Sequence, residues 1–290
     1  MEVELILDAQ ATLGEGPVWH ARRQQLYWVD IDAGLVHVYD PAEGTDTAID
    51  VGQMVGCMAP RRAGGLVLAL HHGFALLNLK NGALTPLADP EAHLPDNRFN
   101  DGKCDPAGRF WAGTLSLSRT PQAAALYCLE TDLTVRRVLE GVTTSNGIAF
   151  SLDGTRMYYI DTPTLRVDAF DYDLAAGTIG NRRTVIQFPE GVGRPDGMTI
   201  DEEGFLWIAH WDGGRVTHWD PHQGTLLDTI ELPVARVTSC TFGGRNLDEL
   251  YITTARVGRT PDQLAGEPHA GGLFLARPGV SGVEAHEFGG

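Results

Sequence analysis

The feature that most limits what this chain can fold into is a short segment that returns six times. Each copy starts with a polar or small residue, continues as a short apolar strand, turns, and enters a second hydrophobic strand. Glu15-Gly16-Pro17-Val18-Trp19 leads to Leu26-Tyr27-Trp28-Val29, Asn146-Gly147-Ile148-Ala149-Phe150 to Met157-Tyr158-Tyr159-Ile160, and Asp196-Gly197-Met198-Thr199-Ile200 to Phe205-Leu206-Trp207-Ile208. The other copies open at Val55, Asn100 and Ser239, so successive openings lie 40, 45, 46, 50 and 43 residues apart. A period of this length, with several short strands per unit, marks the blade of a β-propeller. The expectation is an all-β, six-bladed propeller with four-stranded antiparallel blades, one domain over residues 1–290. The six opening residues then lie at one level of a central channel.

Further strand signals fill out the unit. In the first repeat they are Leu35–Tyr39 and Thr47–Val51, and Asp-Pro, Asn-Gly and Asp-Gly pairs mark the turns. No sustained helical periodicity appears. A propeller must also close its ring, because an open sheet edge invites unwanted pairing. Either the run Val3–Leu7, the run Val283–Phe288, or both could complete the last blade.

Charge narrows the partners. Lys and Arg number 22 against 38 Asp and Glu, a formal charge of −16. That argues against nucleic acid and against an anionic membrane surface, and no apolar run is long enough for a membrane span. The first residues carry Glu2 and Glu4 and no basic start, which does not read as a signal peptide. Cys57, Cys104, Cys128 and Cys240 show no paired spacing. They read as reduced thiols of a cytoplasmic protein.

Among the opening residues, Glu15, Asn100, Asn146 and Asp196 form a ring of oxygen-bearing side chains. Glu15, Asn146 and Asp196 supply two carboxylates and an amide oxygen, a hard-donor set suited to a divalent cation. The ring alone is equally compatible with a hydrated channel that binds nothing.

Four segments resemble the signatures of the SMP-30/gluconolactonase/luciferin-regenerating-enzyme family: Leu13–Trp19, Arg98–Lys103, Ser145–Ala149 and Arg194–Met198. They occur in order and at matching spacing, and the likeness runs over essentially the whole chain. The resemblance implies a six-bladed propeller and a lactonase that opens a sugar lactone to the aldonic acid. It implies one divalent cation, calcium first, with Zn2+, Mn2+, Mg2+ or Fe2+ as alternatives, held by Glu15, Asn146 and Asp196. Asp196 would also act as general base, while Arg98 and Asn100 would contact the substrate, a small-molecule sugar lactone. One departure stands out. Some relatives carry a glutamate in the loop after the Gly-Thr that is Gly113-Thr114 here, and this loop reads Leu115-Ser116-Leu117-Ser118-Arg119.

The ligating carboxylate is a weak base. Attack therefore falls to a water activated by the cation, with Asp196 as proton acceptor. Two other readings stay open: an organophosphate hydrolase on the same scaffold, and a non-catalytic propeller that binds a protein partner. No Gly-x-Ser-x-Gly elbow or phosphate loop is present. His71, His72 and His210 read as loop histidines, with a place at the channel mouth as the alternative. The Trp-Asp pairs at 211–212 and 219–220 read as ordinary packing and turn residues.

Overall fold

The computed structural model describes residues 2–290. The chain enters as β1 (Val3–Leu7) and then builds six sheets of four antiparallel strands. Blade 1 holds β2 (Gly14–His20), β3 (Gln25–Asp30), β4 (Leu35–Asp40) and β5 (Thr45–Asp50). Blade 2 holds β6 (Val55–Pro60), β7 (Leu66–Leu70), β8 (Gly73–Leu77) and β9 (Leu84–Pro86). Blade 3 holds β10 (Asn97–Cys104), β11 (Phe110–Ser116), β12 (Ala124–Leu129) and β13 (Val135–Val142). Blade 4 holds β14 (Ser145–Phe150), β15 (Arg156–Asp161), β16 (Arg166–Asp173) and β17 (Thr178–Gln187). Blade 5 holds β18 (Arg194–Ile200), β19 (Leu206–Trp211), β20 (Arg215–Asp220) and β21 (Thr225–Glu231). Blade 6 holds β22 (Val237–Gly243), β23 (Glu249–Thr254) and β24 (Leu273–Ala276), and β1 completes it. Before β24 comes one short helix, α1 (Pro261–Gly266), started by a Thr260/Gln263 capping box and a proline in its first turn.

The innermost strands β2, β6, β10, β14, β18 and β22 contact one another in a closed ring, which is the six-bladed propeller that the repeat predicts. Neighbouring blades bury apolar faces against each other. Between blades 3 and 4 the contact is made by Trp111, Phe150, Met157, Tyr159 and Tyr172. Each such side chain stabilises the fold by about 1.5–3 kcal/mol relative to exposure. Tryptophans at matching places in β11 and β19 also donate from Nε1 to a buried aspartate six residues earlier. Trp111 reaches Asp105 at 2.9 Å and Trp207 reaches Asp201 at 2.9 Å, so their indoles are satisfied inside the core.

Ring closure falls to β1 alone. Its residues pair antiparallel with β24, Val3 opposite Ala276 and Leu5 opposite Phe274. The C-terminal run expected as a possible partner does not join the last blade. Instead it crosses the end of the channel. Glu202 N donates to Ser281 O, Gly282 N to Leu247 O, and Phe288 N to Pro60 O, which carries the tail from blades 5 and 6 to blade 2. Gly282 lies so close to Phe242 that any side chain there would collide with it. Among the described residues no helix is long and apolar enough to cross a membrane. All four cysteines are free and buried.

Candidate functional site

Every innermost strand is irregular at its first residues. Register shifts interrupt the pairing between Glu15 and Val18 in β2, Phe99 and Gly102 in β10, Ser145 and Ile148 in β14, and Pro195 and Met198 in β18. A bulge takes a residue out of the ladder and re-aims its side chain. Asn100, Asn146 and Asp196 are such residues. The glycines that follow permit close approach of neighbouring blades. A Cβ at Gly147 would come 2.7 Å from Met198 Cγ and 2.8 Å from the Asp196 carbonyl oxygen, and one at Gly197 would collide with Ser239.

The result is a cavity of about 730 Å³ at one end of the channel, whose walls include Glu15, Arg98, Asn100, Asn146 and Asp196. All five side chains are buried. A chain of hydrogen bonds fixes their directions. Arg98 Nη1 donates to Asn100 Oδ1 (2.8 Å); Asn100 Nδ2 donates to Asn146 Oδ1 (2.8 Å) and to Ser145 O (2.7 Å). Asn146 Nδ2 donates to Thr162 Oγ1 (2.7 Å), which donates to Pro195 O (2.8 Å). A guanidinium can only donate, and a carbonyl can only accept, so the order of oxygen and nitrogen in both amides follows from the two ends of the chain. Arg98 Nε is buried with no partner.

The carboxylates are less well served. Glu15 accepts one bond, from Gly16 N at 3.0 Å. Among the described residues, neither Glu15 nor Asp196 has an ion pair within 4.0 Å, and Asp196 accepts no side-chain hydrogen bond. Burial, with Asp101 nearby, pushes the Glu15 carboxyl up to about 8. Burial and the charges of Glu15 and Asp101 hold Asp196 well above the ordinary carboxylate range. Opposing these, burial works against the Arg98 charge while Asp32 and Glu15 support it. The arrangement holds two desolvated carboxylates and an amide oxygen around one space, hard oxygen donors of the kind a divalent cation takes.

A family model described as SMP-30/Gluconolactonase/LRE-like region matches residues 13–256. The chain belongs to the SMP-30/gluconolactonase/LRE-like family. Regucalcin of Danio rerio is 41% identical over 293 residues, spanning 100% of this chain and 99% of that protein. A Bacillus subtilis (strain 168) protein provisionally named sugar lactone lactonase YvrE is 40% identical over 290 residues, with 100% and 99% covered. The solved structure of a regucalcin from Agrobacterium tumefaciens, described as a calcium-binding protein, superposes with a TM-score of 0.94 at 28% identity, covering 98% of this chain and 96% of that one.

In this SMP-30/gluconolactonase-like chain the five residues singled out in the sequence meet in one cavity. The expected common level for all six opening residues does not hold. Ser239 lines a second, smaller cavity further along the channel, and Val55 is packed into the core with Tyr27, Met58 and Leu68. An apolar valine gains more from that core than from a wet channel. His71 and His72 stack on each other (4.3 Å between centroids) away from the cavity wall, and His71 Nε2 meets Pro95 O at 3.0 Å. His210 is not a loop histidine. It sits inside β19, fully buried, its Nε2 2.7 Å from Thr217 Oγ1, and burial holds its pKa down to about 4.

Several wall residues escaped the sequence reading. Asp32, Leu117, Arg119, Pro163, Trp211, Val257 and Gly258 all lie at or just beyond the end of a blade's second strand. Trp211 packs against the core and Asp212 stands at a turn, as expected, and each also has a place at the wall. Trp211 lines the cavity with the Arg236 guanidinium 4.5 Å from its ring centroid, and Asp212 binds Arg236 (Nε, 3.0 Å) and Arg194 (Nη2, 3.3 Å). The repeat carried the signal: second-strand ends stand in register just as the opening residues do. In the loop where relatives were expected to carry an acid, the wall presents Leu117 and Arg119.

Proposed function

We propose that this chain is a metal-dependent sugar lactonase, working as one propeller over 1–290, that hydrolyses an aldonolactone to the aldonic acid in the 730 Å³ cavity. The observation that carries the reading is the pair of buried carboxylates, Glu15 and Asp196, that lack an ion-pair partner beside the directed amide oxygen of Asn146. These three residues would hold one divalent cation. Calcium is our first choice, in keeping with the description of the Agrobacterium relative as calcium-binding. Such a cation supplies Lewis acidity to the lactone carbonyl and acidity to water. The provisional name of the Bacillus relative supports lactone chemistry.

The chain's own residues do the rest. Arg98, held by its bonds to Phe99 O and Asn100, offers its remaining donors to the sugar's ring oxygen and hydroxyls. Asn100 fixes both Arg98 and Asn146, so substrate position and cation position are set by one network. Asp196 accepts a proton as water attacks. The water oxygen bonds to the carbonyl carbon, the ring C–O bond breaks, and the ring oxygen leaves as a hydroxyl with one proton. The second proton is released with the aldonate.

The test is a panel of aldonolactones followed with a pH indicator, using metal-stripped protein given back one cation at a time. Turnover restored by a divalent cation supports the reading. Absence of lactone hydrolysis with every cation, by protein whose fold is intact by circular dichroism, overturns it.

A further inference from the structure

The charge of the cavity runs against that of the protein. The chain carries a formal charge of −16, yet Arg98, Arg119, Arg194 and Arg236 line this one space against the acids Glu15, Asp32 and Asp196. Two of those acids are committed to the cation in the reading above, on which this inference rests. Asp32 is the acid that most supports the Arg98 charge. Arg119, Arg194 and Arg236 then remain, and only Asp212 is bonded to any of them, shared between the last two.

Of these arginines Arg236 is held in place and Arg119 stands on a braced loop. Arg236 is fixed by Asp212 and by the face of Trp211, so little rotamer freedom is lost when it meets an anion. Arg119 stands on a loop stapled from below: Asp96 Oδ2 accepts from Ser116 Oγ (3.0 Å) and from Ser118 N (3.0 Å), and Ser118 Oγ lies 3.1 Å from Thr120 Oγ1. Its backbone is left-handed (φ +58°), which sharpens the turn that carries it. It is exposed and, among the described residues, has no ion-pair partner within 4.0 Å. Blade 3 brings Arg119 to one wall. Blade 5 and the connection into blade 6 bring Arg194 and Arg236 to another.

We infer that the cavity selects an anionic sugar lactone, one carrying a carboxylate or a phosphate on the carbon farthest from the lactone carbonyl, and that Arg119, Arg194 and Arg236 are its specificity residues. The reacting end faces Glu15, Asn146 and Asp196. The anion is held at the rim, and the bonds made and broken are those of the hydrolysis already described. A local positive potential inside an acidic protein also concentrates such substrates against the general repulsion.

The experiment compares three lactones of identical ring and stereochemistry that end in a hydroxymethyl, a carboxylate or a phosphate ester, with metal-loaded full-length protein. We expect kcat/KM for at least one anion to exceed that for the neutral lactone by about 10-fold or more at low ionic strength, mainly through KM. The two anionic arms tell which group is recognised. The advantage should shrink as salt rises to about 0.5 M, where screening is within a few ångströms. R119E and the double variant R194Q/R236Q should each cut the anion-to-neutral ratio, and either loss supports the inference. A neutral lactone turned over as well as both anions, or a ratio untouched by salt and by both variants, overturns the inference and leaves the lactonase reading standing. Failure to hydrolyse any of the three overturns both.

Discussion

At the open end of the channel, Glu15, Asn146 and Asp196 face about 730 Å³ of space, and the groups there are buried yet poorly paired. At the other end the same strands run on to Lys103, Cys104, Phe150 and Ile200. There the tail residues Val283–His286 lie across them and leave only about 80 Å³. The charges at that end include Lys103 and Asp101, opposite in sign and both disfavoured by burial. Lys103 Nζ donates to Met198 O at 2.8 Å, and its charge offsets the burial that raises the nearby Asp101. One set of strands thus carries buried carboxylates that face open space at one end and a Lys103/Asp101 pair closed over by the tail at the other. The difference teaches where buried charge is left facing space and where the chain itself fills the channel.

Damage to the stopper should cost stability and spare chemistry. Phe288 is fully buried against Phe74, Phe110 and Leu129 in the cluster between blades 2 and 3. Phe288→Ala should lower unfolding free energy by about 3–5 kcal/mol, read by urea denaturation, with KM and metal affinity unchanged. If lactone KM rose severalfold instead, the two ends would be mechanically coupled and the contrast would fail.

Acid probes the wall behind the open end. His210 has a folded pKa of about 4 against an ordinary value of 6.5. The unfolded chain therefore takes up the proton first. Stability from this group is intact above pH 6.5 and is lost as pH falls toward 4, by about 3 kcal/mol in all. Denaturation midpoints of His210→Asn should lack most of that slope. An unchanged slope would move the acid sensitivity elsewhere.

Damage to the open end should do the reverse. Asp196→Asn keeps shape but loses charge and basicity, and kcat at saturating metal should fall by about 10²-fold or more while the denaturation midpoint holds or rises. Near-normal kcat would remove Asp196 as proton acceptor. Glu15→Gln should weaken cation binding by about 10-fold, measured by calorimetry, because a neutral amide gives up most of the attraction. Equal affinity would strike Glu15 from the ligand set. The smallest effect is expected at the stopper's outer clasp, where Arg22 Nη2 meets Glu287 at 2.6 Å on the surface. Arg22→Ala should cost at most about 1 kcal/mol.

Much of this was legible beforehand, for physical reasons. Residues that repeat in register stand at equivalent places on the innermost strands, so Glu15, Asn100, Asn146 and Asp196 could be placed together from spacing, although Val55 and Ser239 do not join them. Their oxygen-donor character is legible in the residue types, and their individual roles came from the resemblance. The closure by β1 alone was one of three options, with closure by Val283–Phe288 or by both, because alternating strands do not announce their partners. The tail differs from expectation: Val283–Phe288 looks strand-like, but it pairs only at Phe288, with the end of β6 and the turn after it, and not with the last blade. Arg194 and Arg236 were hidden because neither falls at an opening residue. Their meeting at Asp212 depends on a left-handed aspartate (φ +56°) that no pattern of hydrophobicity encodes. His210 reads as a loop histidine because its neighbours Trp211 and Asp212 resemble a turn, yet it lies in β19 and its Nε2 meets Thr217 Oγ1 on the adjacent strand.

The pairing of Val3 with Ala276 also governs when the molecule can be finished. The sixth blade is made from two stretches that leave the ribosome at opposite times, so β1 must wait unpaired, and the faces of blades 1 and 5 uncovered, until β22 to β24 are translated. That contact spans nearly the whole chain, and contacts of such separation fold slowly. During the wait the edge of β1 is free to pair with a neighbouring chain instead. Crowded expression should therefore penalise this protein before it is complete, and slower synthesis at a lower temperature should raise the yield of closed rings.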